Sequence, residues 1–174
     1  MITALSSQIM KQALTRLDEL LNQQVTLIVG GGGAMILAHG FPLSTADIDA
    51  MPKGIDFLHL DPLVKQVAQE LHLAPDWLNP YYSTFAHTLP EDYGDRLIEV
   101  FKGKNLKAMA LSREEMLILK CFAHRQKDVA HAKALIKKGA DVKMVEAHIE
   151  KLKTKSIPGA EKALDFLDDI LDQL

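Results

Sequence analysis

Four consecutive glycines, Gly30 to Gly33, stand between a β-branched run at Val25–Val29 and an apolar segment at Ala34–Ala38. Such a run is costly in backbone entropy and weakens the interior of a strand or a helix. The chain around it must therefore need bare backbone. That need arises where a strand turns into a helix and exposed N–H groups come close to an anion, most often a phosphate. A Gly40-Phe41-Pro42 turn follows, and then Asp47-Ile48-Asp49. With one residue between them on an extended chain, both carboxylates point to one face. Their mutual repulsion is relieved when a divalent cation sits between them. Either half alone also fits a plain glycine-rich turn or a pair of solvated strand-end carboxylates; both halves in this order favour an anion site beside a cation site.

Two other glycine motifs can be tested directly. A dinucleotide fingerprint needs G-x-G-x-x-G, but counting from Gly30 the last position is Met35, and counting from Gly31 it is Ile36. A P-loop needs Gly-Lys-Ser/Thr, and Gly33 is followed by Ala34. Neither motif is present.

The run Gly30-Gly31-Gly32-Gly33-Ala34, then Gly40, then Thr45-Ala46-Asp47-Ile48-Asp49 resembles the signature of the nucleotidyltransferase (polymerase-beta-like) superfamily, and within it the bacterial AbiEii-like group of toxin–antitoxin systems. The resemblance extends from Val25 to Asp128. It implies an α/β (α+β) nucleotidyltransferase fold, a small mixed sheet flanked by helices with a helical C-terminal half. It implies Mg2+ in a two-metal site held by Asp47, Asp49 and a third carboxylate from a later strand, for which Glu99 is the match and Asp95 the reserve. Phosphates would lie on the backbone of Gly31 and Gly32 with the hydroxyls of Ser44 or Thr45. The stretch Leu119 to Asp128 resembles the Lys…Arg-x-Lys-Asp element of the same group, which implies that Lys120 contacts phosphate and that Lys127 and Asp128 border the nucleotide. The activity implied is transfer of a nucleoside monophosphate from an NTP to an acceptor hydroxyl on RNA, protein or a small molecule, with an antitoxin as a further partner. The group's Arg two residues before the Thr is Leu43 here, so one cationic phosphate contact is missing.

Size and composition agree with one cytoplasmic domain: 174 residues at 48% hydrophobic content are enough for one full core. A net charge of −3 does not indicate a strongly basic nucleic-acid surface, although the lysines between Lys133 and Lys155 could face RNA or an acidic partner. The lone Cys121 excludes an internal disulfide. No run approaches the ~18 apolar residues of a membrane span.

Periodicity predicts a first helix from Ser6 or Ser7 to about Asn22, strands at Val25–Val29 and Ala46–Met51, and a short helix at Gly33–Ala38 between them. An extended piece at Ile55–Leu58 and a helix from Asp61-Pro62 to Leu71 follow. Ala74–Tyr82 reads as a loop in which Trp77 or Tyr81 either stacks on a base or pins the loop to the domain. Thr84–Thr88, Arg96–Phe101 and Leu106–Leu111 have strand composition. Glu99, between Ile98 and Val100, would be costly to desolvate on a central strand without a partner such as a metal; on an edge strand it would face water. Ser112 and Glu115 form a capping-box pattern, and the remainder is helical, with Gly139 as a C-cap and Asp141 as an N-cap. The expected division is a core at residues 1–111 and a helical region at 112–174 packed on it. A scaffold retained as a binding module without catalysis is the alternative from another class, and the Arg125-x5-His131 spacing resembles HEPN-type ribonucleases.

Overall fold

The computed structural model describes residues 3–41 and 44–174, the side chains of 81–84 excepted. Leu43 lies outside the described residues, as does the side chain of Tyr81. The chain forms two compact units, Met1–Thr84 with Leu97–Leu111, and Phe85–Arg96 with Ser112–Leu174.

The first unit carries the mixed α/β architecture. Helix α1 (Ser7–Leu20) starts where the Ser6 side chain accepts from Ile9 N at 3.3 Å, and its buried stripe is Met10, Ala13, Leu14 and Leu17. Strand β1 (Val25–Gly30) leads directly into helix α2 (Gly31–His39), so the helix begins within the glycine run, ahead of the predicted Gly33. Strand β2 (Ile48–Lys53) returns antiparallel to β1. Helix α3 (Phe57–Leu71) follows, then a two-residue strand β3 (Leu78–Asn79). A hairpin of β4 (Ile98–Lys102) and β5 (Leu106–Ala110) completes the sheet, in the order β3-β2-β1-β5-β4. β5 lies parallel to β1 and fills its second edge. β1 is therefore central, which suits its almost entirely buried Val-Thr-Leu-Ile-Val run. Pro52 is tolerated in β2 because β3 reaches only Ile48 and Asp49, leaving Pro52 on an edge where no N–H is required.

Further local expectations change. The Asp56 carboxylate accepts from Leu58 N at 2.9 Å and starts α3 at Phe57, so Ile55–Leu58 is not extended and Pro62 lies inside the helix. Residues Tyr81–Thr88 form a 3₁₀ segment, so the strand expected at Thr84–Thr88 does not form. There Thr88 Oγ1 donates to Phe85 O at 2.7 Å, a local bond that competes with sheet pairing. Trp77 is fully buried with its Nε1–H donating to Val64 O at 2.8 Å, so it pins β3 to α3 and does not present a face to a base.

The second unit is helical: α4 (Arg113–Ala123), α5 (Asp128–Lys137), α6 (Val142–Thr154) and α7 (Ala160–Asp172). Ser112 heads α4, but the capping box does not form. Its hydroxyl donates to the Glu115 carboxylate, which is fully buried and also takes the Arg96 guanidinium. Gly139 follows α5 at φ +96°, and Asp141 caps α6 by accepting from Met144 N at 3.0 Å. Cys121 is buried, which pushes its thiol up to about 12 and keeps it from acting as a nucleophile. Among the described residues no helix is long and apolar enough to cross a membrane.

Candidate functional site

In the first unit the glycine run and the Asp-Ile-Asp segment meet at one end of the sheet, where Gly30 of β1 pairs with Asp49 of β2. Gly31 stands at φ +54°, a conformation that strains any L side chain. A Cβ placed there would overlap Asp49 Oδ2 and lie 3.1 Å from Asp49 Cγ. At Gly32 a Cβ would come within 2.6 Å of Thr45 Oγ1. The backbone at the head of α2 is thus held against a carboxylate and a hydroxyl more closely than any residue with a side chain allows. The N-cap of this helix is Gly30, which has no side chain to cap it, and its first N–H groups have no intrahelical acceptors and carry the positive end of the dipole. At the other end His39 Nε2–H donates to Leu111 O at 3.0 Å, anchoring α2 beside β5.

Thr45 is positioned from outside the motif. Leu5 and Thr45 exchange both main-chain bonds, at 2.8 and 3.0 Å, and Leu5 is fully buried. Ser44 is exposed. Ile48 and Ala50 are buried, while Asp47 and Asp49 are half-buried, so strand alternation turns the two carboxylates together away from the core. Asn79 Nδ2 donates to Asp47 Oδ2 at 2.9 Å. The β2–β3 ladder holds this arrangement: Asp49 is in register with Asn79, and Ile48 N donates to Trp77 O at 2.6 Å.

Glu99 is placed differently. β4 is an edge strand, not a central one, and three strand spacings, about 14 Å, separate it from β2. The Glu99 side chain is 46% exposed and lies 3.5 Å from Lys107 Nζ. Asp95, an exposed residue in a 3₁₀ turn, belongs to the second unit. Among the described residues no three His, Cys, Asp or Glu side chains gather closely enough to hold a metal ion together. Two carboxylates suffice for Mg2+, which keeps several waters and binds through one or two carboxylates plus substrate phosphates. Hard oxygen donors on one face beside a glycine-only cradle fit that ion.

Lys120, Lys127 and Asp128 belong to the second unit. Lys120 is only 6% exposed, and its Nζ lies 3.1 Å from Asp128 Oδ1. Asp128 is fully buried at the start of α5, where Arg125 also donates to it from its backbone N at 3.1 Å and from Nε at 2.8 Å. Burial alone would raise the Asp128 carboxyl, but Arg125 and Lys120 outweigh it and hold it below the usual carboxylate range. Lys127 is exposed. His131 is pushed down to about 4, by burial first and then by the Lys120 charge, which keeps its imidazole neutral at neutral pH. Arg125 of the R-x5-H spacing is thus engaged with Asp128.

Sequence reasoning passed over Asn79 and Leu5. Strand pairing of one or two residues leaves no periodicity to read, and both stand in stretches without a motif.

Residues 8–167 match a protein family described as nucleotidyltransferase of unknown function (DUF6036). No curated protein and no solved structure matches the chain.

Proposed function

The chain belongs to the DUF6036 family of nucleotidyltransferases, and from that premise we propose that it transfers a nucleoside monophosphate from an NTP to an acceptor hydroxyl in a Mg2+-dependent reaction. The observation that carries this reading is the close approach of Gly31 and Gly32 to Asp49 and Thr45. The acceptor hydroxyl oxygen forms a bond to the α-phosphorus and gives up its proton to solvent, the bond from that phosphorus to the bridging oxygen breaks, and pyrophosphate leaves. The backbone N–H groups of Gly31 and Gly32, at the head of α2, with Thr45 Oγ1 and Ser44, would orient the phosphates. Asp47 and Asp49 would hold Mg2+, which supplies charge neutralisation on phosphate and lowers the pKa of a bound hydroxyl. The acceptor is RNA, protein or a small molecule, and an antitoxin would regulate the activity. The resemblance also assigns Glu99 to the ligand set. Loss of the Mg2+ effect in Glu99→Gln would support that assignment, and its retention would leave Asp47 and Asp49 as the protein's own ligands.

The test is a thermal-shift titration with ATP, GTP, CTP and UTP, with and without Mg2+. One nucleotide should raise Tm in a Mg2+-dependent way in the wild type and not in Asp49→Asn. A second reading, a binding module on the same scaffold, is favoured by the absence of a third clustered carboxylate among the described residues. Stabilisation by a protein or RNA partner alone, with no nucleotide effect, would select it. Lys120 and Asp128 pair with each other within the second unit, where Lys127 is exposed, and the transfer chemistry proposed here draws on none of the three.

A further inference from the structure

We infer that Asn79 is a positioning residue that sets the orientation of the Asp47 carboxylate for divalent-cation binding; this rests on the reading of Asp47 and Asp49 as cation ligands. Asn79 Nδ2 is held from two sides, donating to Asp47 Oδ2 at 2.9 Å and to Asp76 O at 3.3 Å. The amide edge is therefore fixed, and it can only donate to the carboxylate oxygen it meets. Its backbone is fixed as well. β3 consists of Leu78 and Asn79 alone, yet it is clamped between Ile48 N donating to Trp77 O and the fully buried Trp77 ring bonded to Val64 O. A two-residue strand adds little to a sheet. Its register, with Leu78 beside Ile48 and Asn79 beside Asp49, brings a neutral donor to a pair of like charges.

The chemistry needs such a donor. Asp47 precedes β2 and has no ladder partner to hold it, whereas Asp49 lies within the strand. Two carboxylates left to themselves rotate apart. With Asp47 Oδ2 bound to a neutral amide, the second oxygen keeps one orientation. Hydrogen bonds of this kind to ligating carboxylates are commonly worth about 10-fold in metal affinity.

The probe is Mn2+ alone, titrated by electron paramagnetic resonance into wild type, Asn79→Ala and Asp49→Asn, with Tm measured on each protein. The expected result is saturable binding in the wild type, loss of it in Asp49→Asn, and about 10-fold weaker binding in Asn79→Ala with Tm unchanged. If Asn79→Ala lowers Tm, Asn79→Val takes its place, since a β-branched residue suits a strand and still removes the donor. Wild-type affinity in a folded Asn79 variant overturns the positioning role while leaving the cation site intact. Absence of Mn2+ binding in the wild type overturns the cation site and the inference with it.

Discussion

Gly31 is the residue on which the candidate site turns, because two independent constraints exclude a side chain there: its positive φ and the adjoining Asp49 carboxylate. Gly31→Ala should cost about 1–2 kcal/mol from backbone strain and displace Asp49, measured as a lower urea midpoint together with loss of the Mg2+-dependent nucleotide shift. Gly32→Ala meets only the Thr45 side chain and carries no positive φ, so it should affect stability less. In the second unit the buried residue with most at stake is Asp128. Asp128→Ala leaves the Lys120 ammonium buried without its carboxylate and should destabilise the protein by about 3–5 kcal/mol, read from urea unfolding.

Among elements, the β4–β5 hairpin is tied to α1 by one carboxylate. Asp18 accepts from the backbone N–H groups of Lys104 at 3.1 Å and of Asn105 and Leu106 at 2.7 Å each. Burial alone would raise the Asp18 carboxyl, but these three donors hold it below its ordinary value. Below the unfolded-state pKa of about 3.9 the unfolded chain takes up the proton first, so this contribution is complete above that pH and is lost as pH falls through the folded value. Stability measured between pH 6 and pH 3 should therefore drop in the wild type, with a shallower acid slope in Asp18→Asn. Nothing near Asp18 in sequence announces this tie, whose donors lie more than eighty residues away. The long elements were legible because their periodicity is local: the α1 stripe, β1, the Asp141 cap and Gly139 follow from spacing alone. Asp47 and Asp49 were legible as a pair for the same reason. The strand order was not, so Glu99 could be read on a central strand although β4 lies at the sheet edge. Trp77 could be read as a stacking surface because burial of an aromatic in a Pro-rich stretch is decided by α3, outside that stretch.

At the scale of the whole molecule the two units are interleaved along the chain, since Phe85–Arg96 belongs to the helical unit while Leu97–Leu111 returns to the sheet. Every residue proposed to orient phosphate or hold the cation, Glu99 excepted, lies between Gly31 and Asn79, ahead of that excursion. The sheet beneath those residues is completed later, by the parallel pairing of β1 with β5. During synthesis on the ribosome, then, the cation and phosphate ligands emerge first, while the central strand still shows one open edge. That edge, Val25–Gly30, is apolar and rich in β-branched residues, the kind of segment that pairs with another nascent chain if left bare. It closes only after residue 110 has left the exit tunnel, so between those two moments the nascent chain carries an unpaired apolar edge of the kind that favours misassembly.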